Sequence, residues 1–233
     1  MPPLPVPPQP QGLQCATFKS PPLDGSLSLP ELCDWHGQNS PDHTFFAYAK
    51  DDGSVKEILW SEGSQAIRRA ACLVRQYIEW EGSQDSIPVI AILSSSGQSP
   101  SRCLGSTALT GRISLRYFPD AIPFVTTILG MIRANCAAFP ISPRNSPAAV
   151  AHLLDKIGPH HILVGCEQAM QDLVAQSLNI LKSQYDMESE IKLSPMLTYS
   201  DLYLSGEATT VEDVPYTRRS SDIPALIMHS SGQ

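Results

Sequence analysis

The sequence predicts an α/β fold built on a largely parallel β-sheet. Short apolar runs alternate along the chain with segments whose apolar residues recur at helical spacing. One such run, IPVIAILSSS at 87–96, is short enough to be a buried strand. Regular alternation of strands and helices is typical of parallel sheets. Because these sheets bind ligands at the carboxyl ends of their strands, we expect a ligand-binding site at such an end.

The first part of the chain predicts a tail, a helix and a hairpin. Residues 1–22 are rich in proline and have little to bury, so we expect a disordered tail rather than an SH3-type ligand. A short helix is predicted around Leu29 to His36. Two β-rich runs, 44–49 and 55–60, flank an Asp-Asp-Gly turn and therefore predict a β-hairpin.

The rest of the chain carries the predicted strand and helix alternation. A helix with Ser61 or Ser64 as its N-cap follows the hairpin. A later helix has Ser146 as N-cap and ends at Gly158. In order, we predict a helix within 61–82, a strand at 87–96, a helix at 122–136, a strand at 137–142, a helix at 147–157, a strand at 160–166, a helix at 167–184 and a strand at 223–228.

Charge and composition exclude several classes of function. The formal net charge is −7, which argues against a nucleic-acid surface, because phosphate binding needs clustered Lys and Arg. No apolar stretch approaches the ~18–20 residues of a membrane span, so we expect no membrane insertion. The six cysteines form no CxxC pair, and the Pro-rich start does not resemble a secretory signal. These features favour a cytoplasmic protein.

The last residues carry the clearest binding signal. An apolar run from Ile223 to Met228 leads into His229, Ser230, Ser231 and Gly232. Small residues after a strand allow main-chain N–H groups to turn toward a phosphate. The four residues are weak on their own, because Ser/Gly-rich loop ends are common and a lone histidine after a strand is more often structural.

No other motif supports a catalytic or metal site. The sequence contains no GxSxG, HExxH or GxGxxG pattern. The pair His160 and His161 lacks acidic or cysteine partners at zinc spacing. We therefore assign no catalytic residue and no metal ligand. Segment 97–119 is long for a connection that usually takes ~2–6 residues, and either a functional loop or a disordered insert without function would explain it.

Several segments together resemble one family. PPLDGSLSLPELCDWHGQNSPDH, IRRAACLV, FVTTILGMIRANCAAFPISPRNSPAAVAHLL and ALIMHSSG are similar to the N-terminal part of fungal adenylate-forming (AMP-binding) domains. That group includes acetyl-CoA-synthetase-like, nonribosomal-peptide-synthetase-like and aminoadipate-reductase-type enzymes. The resemblance covers nearly all of 21–232 except 97–119. It implies a partial large N-terminal domain at 23–233, with a mostly parallel sheet and flanking helices.

The resemblance also implies a chemistry. Relatives activate a carboxylic acid with ATP and Mg²⁺ to an acyl-adenylate and then transfer the acyl group to CoA or a carrier thiol. His229, Ser230, Ser231 and Gly232 match the first four positions of the family's phosphate loop, HSSGSTG-x-PK. That loop holds the β- and γ-phosphates while the carboxylate attacks the α-phosphorus.

Departures from the family lower the expected activity of this chain. The loop Lys and the downstream nucleotide contacts are absent from the 233 residues, so we expect the chain alone not to catalyse adenylation. Removing 97–119 restores a family-like join, AILSSS-DAIPF, which suggests a translated intron or an alternative isoform. That segment begins with Gly-Gln, and the same dipeptide stands at the end of the chain, in HSSGQ, which suggests a second read-through there. The alternative to a role in adenylation is that this chain is a noncatalytic binding or regulatory protein that acts through protein–protein contact.

Overall fold

The structure is a computed structural model that describes the chain in seven ranges. These are residues 14–50, 52–79, 87–95, 121–185, 191–204, 216–220 and 222–229. Two β-sheets and five α-helices lie within them. Residues 1–13 of the predicted tail, the whole segment at 97–119, and Ser230, Ser231 and Gly232 lie outside the described residues.

The larger sheet has four parallel strands in the order β4-β3-β5-β6. β3 runs from Val89 to Leu93 and lies between β4, Ala137–Pro140, and β5, His161–Val164. β6, Lys192–Pro195, forms the edge beside β5. The predicted parallel α/β fold is confirmed.

Helices cover both faces of this sheet. α2, Trp60–Ile78, and α3, Ala121–Arg133, lie on one face, and α4, Pro147–Ile157, and α5, Gln168–Gln184, lie on the other. Alternate residues of β3 divide between the two layers, because successive side chains of a strand point to opposite faces. Ile90 and Ile92 pack with α2 and α3, and Ala91 and Leu93 pack with α4 and α5.

Two outer elements complete the described fold. α1, Leu29–Asn39, begins at Ser28, whose main-chain N–H donates to the Glu31 carboxylate at 2.7 Å. β1, Thr44–Ala49, and β2, Val55–Leu59, form the predicted antiparallel hairpin. Ile58 of this hairpin is buried with Tyr48, Ile122 and Tyr199.

One predicted helix cap is confirmed and another is wrong. Ser146 caps α4 by accepting a hydrogen bond from the Ala149 N–H at 3.2 Å, and the helix ends at Gly158, as predicted. The prediction of Ser61 or Ser64 as the cap of α2 was wrong. α2 begins at Trp60, and the Glu62 carboxylate accepts from the Leu59 N–H at 3.1 Å.

Residues 14–22, which we included in the predicted tail, contact the rest of the fold. The ring of Phe18 lies 5.6 Å from that of His36 and 5.1 Å from that of His43. The Lys19 N–H donates to the Ser40 side chain at 3.0 Å. The boundary of the Pro-rich tail at residue 22 stays a prediction, but part of it packs on α1.

Close packing joins the two helices of one layer. A Cβ atom placed on Gly130 of α3 would lie 2.4 Å from the Cβ of Ala70 on α2. Only a glycine therefore allows the two helices to approach so closely. Within the described ranges, no helix is long and apolar enough to cross a bilayer.

Candidate functional site

The last described segment, residues 222–229, lies along the edge of β4 opposite β3. The Ala138 N–H donates to the Ala225 carbonyl at 3.0 Å, and the Ile227 N–H donates to the Ala138 carbonyl at 2.8 Å. These bonds form one parallel bridge between Ala138 and Leu226. The strand that we predicted at 223–228 is therefore present only as this bridge, but its direction matches that of the sheet.

This direction places His229 at the carboxyl end of β4. Its Nε2 atom accepts a hydrogen bond from the Ser142 main-chain N–H at 3.3 Å. Its ring meets the ring of Phe139 edge-on, with centroids 6.3 Å apart and planes at 81°. Of the four predicted phosphate-loop residues, His229 is thus at the edge of the sheet where ligands of parallel α/β folds bind.

Two small residues and one carboxylate lie at the neighbouring strand ends. Gly165 follows β5, and a Cβ atom on it would lie 2.3 Å from Oε2 of Glu167 and 3.1 Å from the Ser94 Oγ. The Gln171 side chain donates to the Gly165 carbonyl at 2.7 Å. Since Ser94 follows β3, the ends of β3 and β5 pack tightly here.

Sequence reasoning identified His229 but missed the residues that hold it. Ser142 acts through its main-chain N–H, and Ala138 through both of its main-chain groups. The available signal was the position of Ser142 at the end of the predicted strand 137–142. Every residue except proline carries a main-chain N–H, so no side-chain pattern in the sequence identifies this donor. It is identified only by its hydrogen bond to His229 in the folded chain.

The other histidines do not converge on this site. His161, the first residue of β5, is buried and shares a hydrogen bond of 2.8 Å with the Ser194 hydroxyl. Burial is the main reason that the pKa of His161 lies below its ordinary value of 6.5. Within the described ranges, no group of three His, Cys, Asp or Glu side chains is placed to hold a metal ion.

Comparison with known proteins relates the chain to one group of enzymes. No protein-family model matches it. An adenylate-forming reductase of Heterobasidion annosum, Nps10, is 37% identical over 231 residues, which are 99% of this chain and 19% of the relative. Nps11 of Serpula lacrymans, also an adenylate-forming reductase, is 29% identical over 160 residues, or 68% of this chain and 12% of the relative.

Solved structures share the fold at low sequence identity. A fatty acyl CoA synthetase of Mycobacterium tuberculosis matches 87% of this chain and 32% of its own, with 13% identity and a TM-score of 0.55. A fatty acyl-adenylate ligase of Legionella pneumophila, solved with acyl adenylate and pyrophosphate, matches 88% of this chain and 28% of its own, with 15% identity and a TM-score of 0.51. The chain spans about a fifth or less of the length of the curated relatives.

Proposed function

Because this chain belongs to the adenylate-forming enzymes, in the part that forms their N-terminal α/β domain, we propose that it helps to bind ATP for the activation of a carboxylic acid. The observation that carries this proposal is the position of His229. The segment before His229 pairs in parallel with β4, so His229 itself lies at the carboxyl edge of the sheet. In parallel α/β folds, ligands bind at that edge.

Four residues form the start of the proposed phosphate loop. His229, Ser230, Ser231 and Gly232 offer main-chain N–H groups and two hydroxyls to the β- and γ-phosphate oxygens. Fixed donors of this kind stabilise negative charge because they need no rearrangement during the reaction. In the proposed reaction the substrate carboxylate attacks the α-phosphorus, the bond to the bridging oxygen breaks, and pyrophosphate leaves. An acyl-adenylate remains, and CoA or a carrier thiol then accepts its acyl group.

The 233 residues alone are expected to be inactive in this reaction. After Gly232 the sequence supplies only Gln233, so it contributes no lysine to the loop. Catalysis depends on all the charge-stabilising groups being held together around the phosphates. ATP-dependent pyrophosphate exchange with a panel of carboxylic acids should therefore stay at background for this chain, and exchange above background would refute the expected inactivity.

A chimera tests the function directly. The matching 231-residue region of the Heterobasidion annosum reductase would be replaced by this chain, and pyrophosphate exchange would be measured. Exchange should persist and should fall by at least about tenfold on Ser231→Ala, since losing one charge-stabilising hydrogen bond costs roughly 1.5–3 kcal/mol. His152→Ala, at an exposed position on α4, is the matched control. A folded chimera without exchange would contradict the proposal.

The segment at 97–119 is tested in the same chimera. Deleting these residues joins AILSSS to DAIPF in frame. We expect the deletion to preserve or raise exchange if the segment is a translated intron, because β3 and α3 then connect directly. Comparison of genomic DNA with transcripts provides an independent test, and an uninterrupted coding sequence across both junctions would refute the intron hypothesis.

A second candidate function is binding to another protein without catalysis. One observation favours it: Leu226 and Met228 at the open side of the terminal segment are 42% and 76% exposed. Apolar side chains exposed side by side commonly mark a contact surface. The chimera separates the two candidates, because a binding role predicts a folded chimera that carries out no exchange.

A further inference from the structure

The ring of His229 is held by main-chain and aromatic groups of one strand end. We infer that the carboxyl end of β4 selects the Nδ1–H tautomer of His229 and thereby makes this residue a hydrogen-bond donor at the start of the phosphate loop. The ligand of that donor, a phosphate oxygen of ATP, rests on the proposed function. The selection of the tautomer depends only on Ser142, two residues after the end of β4, and needs no nucleotide.

The tautomer follows from the direction of one hydrogen bond. A main-chain N–H can only donate, so the Ser142 N–H requires an unprotonated nitrogen as its partner. That partner is Nε2 of His229, at 3.3 Å. A neutral imidazole carries its single proton on the other nitrogen when one nitrogen accepts. Nδ1 is therefore the atom with a proton to donate.

Two further contacts fix the direction of that donor. The ring of Phe139, which is fully buried, meets the His229 ring at 81° with centroids 6.3 Å apart. The main-chain bonds from Ala138 to Ala225 and Ile227 position the chain just before His229. β4 and Ser142, which follows it by two residues, supply all three contacts, so a single strand end aligns the ring.

This arrangement gives Ser142 a positioning role. Its N–H does not need to touch the nucleotide, because it acts by setting which nitrogen of His229 is protonated. In the other tautomer, Nε2–H would face the Ser142 N–H, and two donors would oppose each other. Nδ1 would then be an acceptor, which repels phosphate oxygens. The Ser142 N–H thus determines whether His229 attracts or repels an anion.

Nitrogen NMR tests the inference in the chain as it is. The protein would be labelled with ¹⁵N-histidine, and the two ring nitrogens of His229 would be assigned at a pH where the ring is neutral, with His229→Ala identifying the signals. We expect Nδ1 to carry the proton in the major form. A major Nε2–H form in the wild-type chain would overturn the inference without any variant.

A matched pair of variants isolates the main-chain donor. Ser142→Pro removes the N–H, whereas Ser142→Ala keeps it and removes only the hydroxyl. The proline variant should lose the Nδ1–H preference, and the alanine variant should retain it. An unchanged tautomer in a folded Ser142→Pro chain would also overturn the inference. If that variant does not fold, the wild-type measurement still decides.

The two proposals fail in different experiments. The tautomer measurement needs no nucleotide, and the chimera needs no assignment of the ring nitrogens. A major Nδ1–H form together with no exchange would refute the proposed function and support the tautomer inference. A major Nε2–H form together with normal exchange would refute the inference alone.

Discussion

One carboxylate joins three helices of the fold, and its removal gives the sharpest stability prediction. Asp34 on α1 accepts hydrogen bonds from Nε and Nη2 of Arg68 on α2, at 3.2 and 3.0 Å. Its second oxygen accepts from Nη1 of Arg133 on α3. The side chain of Arg133 is 4% exposed, whereas that of Arg68 is 36% exposed.

The difference in exposure sets the expected magnitudes. Asp34→Asn takes the carboxylate away from a buried guanidinium, and breaking a buried ion pair typically costs ~3–5 kcal/mol. Asp34 itself is 26% exposed, so solvent reduces the loss to roughly 2–4 kcal/mol. Arg68→Met should cost only ~0–1 kcal/mol, because Asp34 keeps Arg133 and the Arg68 side chain is at the surface.

The measurement is the free energy of unfolding from urea titrations followed by circular dichroism, with the slope compared among the variants. Asp34→Asn should lower that free energy by at least about 1 kcal/mol more than Arg68→Met does, given the ranges above. Raising the salt concentration should weaken the Arg68 contribution more than that of Arg133. Equal losses for the two variants would refute the argument from burial.

Three further predictions concern packing, pH and thiol chemistry. Gly130→Ala should destabilise the fold by ~1–3 kcal/mol despite a better helix propensity, because the new Cβ lies 2.4 Å from that of Ala70; Ala70→Gly in the same chain should recover part of the loss in a double-mutant cycle. Burial lowers the pKa of His36 and His161 below the ordinary 6.5, so the unfolded chain binds more protons and stability should fall as the pH drops from 7 to 5.5. His161→Gln should reduce that slope, with exposed His152→Gln as the control. Iodoacetamide should label Cys15 before Cys136, because hydrogen bonds from Thr17 lower the pKa of the exposed Cys15 thiol while burial raises that of Cys136 to about 12; equal rates, or no slowing by Thr17→Val, would contradict this.

The sequence predicted the central strands and helices well because their signals are local. Ser146 and Gly158 mark the two ends of α4 through capping preferences that act within a single turn. β6 was not predicted, since its residues, Lys192 to Pro195, read as polar loop and become a strand only by pairing with β5. The N-cap of α2 also depends on the tertiary fold rather than on local sequence. β2 of the hairpin ends at Leu59 and α2 begins at the next residue, Trp60, so neither predicted serine lies at the N-cap position.

The candidate site was predictable in part. The resemblance of HSSG to a phosphate loop identified His229 from sequence, and the parallel sheet indicated the edge at which it would lie. Its partner could not be predicted, because the Ser142 N–H is 87 residues away in sequence and leaves no trace in side-chain type. Main-chain donors become visible only when the fold brings two strand ends together.

The stability of this fold is separable from the placement of His229, the first residue of the proposed phosphate loop. The core lies between two helix layers around β3, and within the described range 222–229 the terminal segment forms two main-chain bonds with Ala138. Segments held by so few bonds open at low free-energy cost while the rest of a domain stays folded. Substitutions that weaken the bridge should therefore move His229 without unfolding the sheet. For the same reason, a strengthened bridge should raise nucleotide affinity in the chimera without changing the stability of the core.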